Sequence, residues 1–458
     1  MKYIGIIGEN SIELINKILD LWNKGFCVVL FDYKTPIKSL IEMLVISKCT
    51  FCYLDESIYE INNFKDSILF KNSKNLFVIY KNNFIGWNYL PLELYKKYKV
   101  NFSEEEALII FSSGTTFKEK GIVLSHKAIT QNAIDIIKAM GICQKDTLLI
   151  IKKISHSSTF IGEIMVSLIN KNKIIIGPCI ITPQILLNKL IEFRVTICCM
   201  NPTIIRLFSK VLLKKKYKID KLKYIFVSGD IFYEKDICNI RTLLPNVKVR
   251  NMYGLTEAGP RVTMQNDIYC TTNSVGVPIG NTKIKIINFL GMECCANEIG
   301  KVFVNSTSRF TRYINSNISF NIDKDNWLDT NDLGYYSNNG ELYIIGRSDS
   351  LILYDSHVIN PQSIENSILE CSLIEECSIQ NIIINSRNFL CCLYTCYENI
   401  NVFDIRKELM KKHISYEIPK YFFKIEEFKK NKNGKRDNVY LKKIAFDLLN
   451  SKGVNNEY

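Results

Sequence analysis

Histidine is scarce in this chain, with only four in 458 residues. The sixteen cysteines do not make up for it as metal ligands. Cys49 and Cys52 form one C-x-x-C, but no second such pair stands at zinc-site spacing. Cys198–Cys199, Cys294–Cys295 and Cys391–Cys392 are merely adjacent. A structural zinc site is not expected, and the thiols read as reduced, small apolar core residues. Long apolar runs are missing too. None approaches the ~18–20 residues that span a bilayer as a helix. The opening MKYIGIIGENSIEL has no cleavable signal pattern, so a cytoplasmic location is expected. Neither an internal repeat nor a low-complexity linker occurs. No nucleic-acid module or aromatic–basic stripe is visible, so nucleic acid is not an expected partner.

What is present is a globular composition: 47% apolar and 23% charged residues. That excludes a disordered, collagenous or fibrous chain. Single cores stop growing near ~250–300 residues, so at least two domains are expected. The net charge is +13, from 59 basic against 46 acidic residues. Two readings fit it: the codon bias of an AT-rich genome, or a polyanionic partner such as nucleic acid or a phosphorylated ligand. The basic residues are spread out, with short runs only at Lys214–Lys216 and Lys429–Lys435. Bulk charge therefore decides little.

Short apolar strands alternate with helical patterns from the start. Tyr3–Ile7 reads as a strand. Asn10 with Glu13 reads as a helix cap, and Ile15, Ile18, Leu19 and Trp22 fall on one helical face. Strands are expected at Phe26–Leu30, Leu108–Phe111, Leu148–Ile151, Val195–Cys198 and Tyr224–Val227. Helices are expected at Pro36–Ile46, Lys127–Met140, Gln184–Phe193 and Pro202–Leu213. Such alternation predicts α/β layers with largely parallel strands. Beyond about residue 270, Thr282–Ile287, Gly300–Asn305 and Glu341–Ile345 are short strands divided by Gly, Asn and Asp turns, a β-rich lobe. After Gly346 the pattern is α+β: helices Pro361–Leu369, Val402–Lys412 and Val439–Leu449, and strands Ile379–Ile384, Leu390–Thr395 and Phe422–Ile425. The expected fold is a large N-terminal α/β domain with a β-rich lobe, residues 1–346, followed by a small α+β domain, residues 347–458.

Five segments carry candidate chemistry. In IIFSSGTTFKEKGIVLS, a strand runs into Ser112, Ser113, Gly114, Thr115 and Thr116, then a charged turn with Lys120. Hydroxyls, a glycine and backbone N–H groups after a strand suit phosphate oxygens, and Lys120 adds positive charge. The alternative is a Ser/Thr-rich surface turn, and the segment is not the G-x-x-x-x-G-K-[ST] pattern. NMYGLTE, residues 251–257, offers an aromatic face, a hydroxyl and a carboxylate. WLDTNDLGY presents Asp332 in a Thr/Asn/Gly turn. LYIIGRSD sets Arg347 and Asp349 just after a strand, and KKNKNGKRD sets Lys435 after a glycine. Each alone also reads as a turn, a solvated charge or a core aromatic. Five in this order on one chain are harder to dismiss.

Together they resemble the adenylate-forming superfamily: acyl- and aryl-CoA synthetases, luciferases and the adenylation domains of peptide synthetases. SSGTTFKEKG resembles the family's TSGTTGxPKG loop, NMYGLTE its YGxTE segment, and DTNDLG its TGDxG. GRSDSLILYDSHVINPQSIE resembles GRxDxxIKxxGxxIxPxEIE, and NGKRD resembles NGKxxR. Weaker matches are SHSSTFIGE around His156, VSGD at Ser228–Asp230 and SVGVPIG at Ser274–Gly280. The resemblance spans nearly the whole chain, and it implies a trimmed N-terminal subdomain.

The resemblance implies ATP-dependent joining of a carboxylic acid to AMP, with pyrophosphate released, then transfer to a thiol. By similarity, Ser112, Ser113, Gly114, Thr115, Thr116 and Lys120 would hold the β- and γ-phosphates. Thr256 would touch the α-phosphate, and Glu257 would ligate Mg²⁺, a cation that prefers hard oxygen donors. Tyr253 would stack on adenine, with Asn251 and Gly229 at its edge. Asp332 would accept both ribose hydroxyls, with Arg347 near the same ribose. Lys435 would bridge the acid and the ribose or phosphate oxygens, and would stabilise the transition state. His156 would sit by the acyl pocket, or else is a satisfied core histidine. Asp349 would be the hinge about which the small domain turns between half-reactions, or else a turn carboxylate.

The chain departs from the family pattern at several positions. Phe117 replaces a loop glycine and Glu119 the proline. Asn331 replaces the glycine before Asp332, a mild change because Asn tolerates similar backbone angles. Leu353 replaces a lysine, and Ser356 a glycine where the pantetheine thiol would enter. These changes bear more on thioester formation than on adenylation. Amino-acid activators of the family often carry an Asp after the His156 segment; here stand Ser157 and Ser158, pointing to an acid without an α-amine, such as an aryl, fatty or keto acid. The expected function is an acyl- or aryl-CoA ligase using ATP and Mg²⁺, with CoA as acceptor. One alternative is a standalone adenylation enzyme loading the phosphopantetheine arm of a carrier protein. Another is a degenerate nucleotide binder without turnover. Against the last, Lys120, Glu257, Asp332, Arg347 and Lys435 are all kept.

Overall fold

The computed structural model describes residues 2–61, 77–81, 86–112, 120–179, 182–214, 217–266, 272–315, 322–354, 357–370, 374–384, 387–396, 400–429 and 436–452. The first sheet is built around the strand Tyr3–Ile7. Cys27–Phe31 and Phe51–Asp55 flank it in parallel, and Phe77–Tyr80 extends that side. On the other side Glu106–Ser112 lies parallel to Cys27–Phe31; Lys120–Ser125 and Arg312–Tyr313 follow antiparallel. The helix Ile12–Asn23 packs Ile15, Ile18, Leu19 and Trp22 into the core, as their spacing predicts. Its cap is not Asn10 but Ser11, whose hydroxyl accepts from the Leu14 N–H. Asn10 instead donates to the Lys152 carbonyl and accepts from the Ile154 N–H, joining the first sheet to the second layer.

The second sheet has Ile197–Met200 at its centre. Thr147–Leu149 and Tyr224–Val227 are its parallel neighbours, followed by Lys173–Ile176 on one side and Lys248–Leu255 on the other. Only the edges turn antiparallel: Gly259–Met264 and Val277–Pro278 at one, Asn88–Tyr89 at the other. The helix His126–Met140 is capped by Ser125 and closed by Gly141 in the left-handed region. The β-rich lobe is a four-stranded antiparallel sheet, Lys283–Ile287, Gly300–Asn305, Leu328–Tyr336 and Leu342–Arg347. The α/β and α+β layers expected from the sequence are present.

After residue 350 come a short ribbon, Ile352–Tyr354 with His357–Ile359, and a sheet of Ile374–Ile384, Arg387–Cys396 and Tyr421–Lys424. The helices Pro361–Glu370, Val402–Met410 and Asn438–Ser451 cover it. Its buried clusters, such as Ile364, Ile368 and Leu409, or Leu393, Leu441 and Leu449, share no buried member with those of the preceding layers. Ile374–Ile384 begins five residues earlier than its apolar run suggests. Glu375 and Glu376 interrupt the pattern because they reach back to Lys210 and Arg206. Cys27, Cys52, Cys198, Cys199, Cys377, Cys391 and Cys392 are buried, whereas Cys143, Cys238 and Cys295 are exposed.

Candidate functional site

In open α/β sheets, ligands bind beyond the carboxyl ends of the parallel strands. Two strands of the second sheet end there on motif residues. Tyr224–Val227 runs into Ser228 and Gly229, and Lys248–Leu255 runs into Thr256 and Glu257. Gly229 has φ +100°, and a Cβ added to it would meet no atom within 4 Å. The backbone is therefore bare on that side, as close approach of a ligand requires. The pairing of Lys248–Leu255 with Gly259–Met264 slips between Tyr253 and Leu255. Gly254 sits in that slip, where a Cβ would lie 2.3 Å from the Pro260 carbonyl oxygen.

The slip turns Tyr253 toward the β-rich lobe. Its hydroxyl donates to Asp332 Oδ2 at 2.5 Å. Asp332 is paired in register with Arg347 on the next strand, and Arg347 Nη1 stands 3.4 Å from Asp332 Oδ1. Arg347 also donates to the Thr330 carbonyl and, through Nε and Nη2, to both carboxylate oxygens of Asp349. Asn331 holds φ +58°, so it does what the family's glycine would do at that turn. Burial, with the Asp332 carboxylate beside it, pushes the Tyr253 phenol well above its usual range, so it stays a donor. Burial works against the Arg347 charge, but Asp349 and Asp332 outweigh it and raise its pKa.

Thr256 and Glu257 form the other half. Thr256 Oγ1 and Ser157 Oγ are 2.8 Å apart. The Tyr313 hydroxyl donates to Glu257 Oε1 at 3.3 Å, and Lys120 Nζ lies 5.6 Å from the centre of the Tyr313 ring. Burial pushes the Glu257 carboxyl up, while Lys120 and Arg347 pull it down. Arg347 thus joins the two halves electrostatically. Lys120 pairs with Ser112 across antiparallel strands. Of the expected phosphate-holding residues, Ser113, Gly114, Thr115 and Thr116 lie outside the described residues, as do Phe117, Glu119, Ser356 and Lys435.

His156 precedes the short helix Ser157–Thr159, next to the hydroxyl that meets Thr256. Asn251 is buried with its carboxamide committed: it donates to the Ser274 carbonyl and accepts from the Met252 N–H. It ties the Ser274 segment to the strand Lys248–Leu255. Sequence reasoning missed Tyr313, because the strand Arg312–Tyr313 is two residues long and far from every motif. It also missed Ser157 as the partner of Thr256. Mg²⁺ fits the donor set in one way. Among the described residues no cluster of three or more His, Cys, Asp or Glu could enclose a metal. A single carboxylate, Glu257, completed by substrate phosphates, matches how Mg²⁺ is commonly held.

The AMP-binding enzyme family model matches residues 2–314, more than half of the chain. The chain belongs to the AMP-binding enzyme family. It is 28% identical over 318 residues to luciferin 4-monooxygenase of Photuris pensylvanica, a match covering 66% of this chain and 56% of that protein. It is 25% identical over 346 residues to a 4-coumarate–CoA ligase of Humulus lupulus, covering 71% and 62%. The matched region is thus less than two thirds of the length of these relatives. Among solved structures, ATP-bound MatB from Rhodopseudomonas palustris superposes with a TM-score of 0.85 at 16% identity, over 98% of this chain and 89% of that one. O-succinylbenzoate coenzyme A synthetase from Bacillus subtilis, in complex with AMP, superposes with a TM-score of 0.79 at 20% identity, over 95% and 87%. At these identities the superpositions establish the fold. No helix among the described residues is long and apolar enough to cross a membrane.

Proposed function

We propose that this chain adenylates a carboxylic acid with ATP and passes the acyl group to CoA. The observation that carries the reading is the joined set Tyr253–Asp332–Arg347 and Thr256–Glu257–Lys120 around the carboxyl end of the strand Lys248–Leu255. Asp332 is held by Tyr253 on one oxygen and faces Arg347 with the other, and a carboxylate is the acceptor that two ribose hydroxyls would call for. Lys120 and Arg347 set positive charge near Glu257, where a triphosphate would gather negative charge. Glu257, together with the substrate phosphates, would hold Mg²⁺, which would supply charge neutralisation. Thr256, with its hydroxyl oriented by Ser157, is a hydrogen-bond donor for the α-phosphate.

In this reading the acid carboxylate attacks the α-phosphorus in line, the bond to pyrophosphate breaks, and acyl-AMP results. The protein supplies position and charge, not a covalent intermediate. Residues 1–346 are the large domain and 347–458 the small one, hinged near Asp349. Lys435 brings its charge to the reacting anions in the first half-reaction. The relatives that are CoA ligases support CoA as acceptor. The match to bacitracin synthase 3 of Bacillus licheniformis, 25% identical over 349 residues, keeps a carrier-protein acceptor as the second reading.

The test is pyrophosphate release with ATP and Mg²⁺ across aryl, fatty, keto and amino acids. Each acid is run alone, with CoA, and with a phosphopantetheinylated carrier. Release should require one acid class, accelerate with CoA, and fall by at least about a hundredfold in Lys435→Ala, the scale of losing one transition-state donor. No release from any acid, with ATP still bound, sinks the reading and leaves a nucleotide binder.

A further inference from the structure

Behind the turn that carries His156 lies a buried ionic cluster that the adenylation chemistry does not use. Arg261 is 1% exposed, the largest side chain so deeply buried in the described chain. It lies on Gly259–Met264, four residues past Glu257. Its Nη1 donates to the Pro260 carbonyl at 2.8 Å and its Nη2 to the Ser158 carbonyl at 3.3 Å. Nε has no partner. The guanidinium lies flat on Gly162, where a Cβ would come within 3.3 Å of Nη2. The next residue, Glu163, is also 1% exposed and sits 3.0 Å from Lys152 Nζ. Beyond that ion pair Lys152 Nζ and Glu163 Oε1 have no hydrogen-bond partner, and Thr159 Oγ1 is buried without a hydrogen bond.

Two cations and one anion leave a net charge of +1 in a site shielded from water. Among the described residues, Glu163 is the one carboxylate within ion-pair distance of Lys152, and none is that close to Arg261. A surplus buried charge costs several kcal/mol unless an opposite charge joins it. The local backbone is also unusual. Phe160–Met165 is a π-helical stretch, a rare geometry that concentrates at functional sites. The cluster is also tied to the reacting end. Ser158, which accepts from Arg261, follows Ser157, whose hydroxyl meets Thr256.

We propose that Arg261, with Lys152 and Glu163 behind it, takes a second carboxylate at the far end of the acid this chain activates. The substrate is then a dicarboxylic acid, not a plain fatty or aryl acid. A carboxylate accepts from two parallel N–H groups of a guanidinium, which Nε and Nη2 present together. Nη2 would share its proton with the Ser158 carbonyl, Nε would gain its only partner, and the cluster would become neutral. Gly162 keeps a side chain from crowding the face of the guanidinium. The inference rests on the adenylation reading for the position of the reacting carboxylate.

The test compares α,ω-dicarboxylic acids of three to eight carbons with monocarboxylic acids of equal length. Full-length wild type, Arg261→Gln and Lys152→Met are each assayed for pyrophosphate release. The readout is the ratio of kcat/KM for each pair within one preparation, so a misfolded fraction cancels. Wild type should favour one dicarboxylic acid by at least about tenfold, since a site built for a polar group rejects an analogue lacking it. Arg261→Gln should bring that ratio close to one, and Lys152→Met should lower it. A wild-type ratio near one, or a ratio unmoved by Arg261→Gln, overturns the proposal while adenylation stands. If no acid supports turnover, the adenylation reading falls and the same pairs are compared by thermal unfolding. A rise in Tm with a dicarboxylic acid alone, lost in Arg261→Gln, would then uphold the anion site, and equal shifts would overturn it.

Discussion

At the scale of single residues, the site depends on side chains that hold other side chains. Tyr253 touches Asp332 with its hydroxyl, and under the proposed function this bond fixes the carboxylate for ribose. A hydrogen bond to a charged group is worth about 1.5–3 kcal/mol. Tyr253→Phe should therefore raise KM for ATP by roughly tenfold to a hundredfold, while the circular dichroism spectrum stays unchanged. If KM moves less than twofold, the bond does not position Asp332. Asn331 permits a cleaner test. Its φ of +58° suits Gly and Asn but strains a β-branched side chain. Asn331→Gly should leave the urea midpoint nearly unchanged, and Asn331→Val should lower stability by about 1–2 kcal/mol.

At the scale of elements, Gly254 decides where the candidate site points. A Cβ there collides with backbone, the Pro260 carbonyl, and not with a flexible side-chain end. Gly254→Ala should force the two strands apart, destabilise the fold by about 1–3 kcal/mol and weaken nucleotide binding. Urea unfolding and a nucleotide titration read the two effects separately. Other strands differ in how far the sequence reveals them. Tyr224–Val227 and Gly300–Asn305 are legible to the residue because apolar runs and turn residues bound them. Ile374–Ile384 is not, because its first acidic residues face another layer instead of water. The cap at Ser11 was hidden because Asn10 and Ser11 are both good caps, and only the tertiary bonds of Asn10 to Lys152 and Ile154 choose between them. Motif residues were legible because their chemistry is local. The contacts of Tyr313 with Glu257 and of Arg261 with Ser158 were not, since long-range packing alone makes them.

At the scale of the whole molecule, one buried carboxylate holds much of the second layer. Asp146 accepts from the Cys143 N–H, the Thr196 hydroxyl and Lys223 Nζ. Burial alone would raise its pKa, but Lys223 and these hydrogen bonds lower it on balance. A depressed carboxylate contributes stability that is complete above the ordinary Asp range near ~3.9 and is lost as pH falls through its folded-state value. Asp146→Asn should therefore lower the urea midpoint at pH 7, and the gap to wild type should shrink as pH falls below the ordinary Asp range. A gap that does not depend on pH would show that shape, not charge, is what Asp146 supplies. Among the described residues, polar side chains join the layers to the last hundred residues. Arg206 pairs with Glu376, Lys210 with Glu375, and Gln362 donates to Tyr233. Lys210 is exposed, so its pair with Glu375 is worth at most about 1 kcal/mol, whereas Arg206 and Glu376 are half-buried. Arg206→Ala should speed amide exchange at the start of Ile374–Ile384 and leave Arg387–Cys396 unchanged.

The strand Arg312–Tyr313 has one more consequence, and it concerns birth, not catalysis. Arg312 grips Glu106 from 206 residues away and reaches the Tyr3 hydroxyl from 309. At ~5–20 residues per second, a ribosome leaves roughly 10–40 s between making the edge strand Lys120–Ser125 and making the segment that covers it. During that interval the nascent sheet shows an open apolar edge, the kind that pairs with strangers. The growing chain thus passes through a window in which a chaperone, or another copy of itself, competes for the place that Arg312 and Tyr313 finally take.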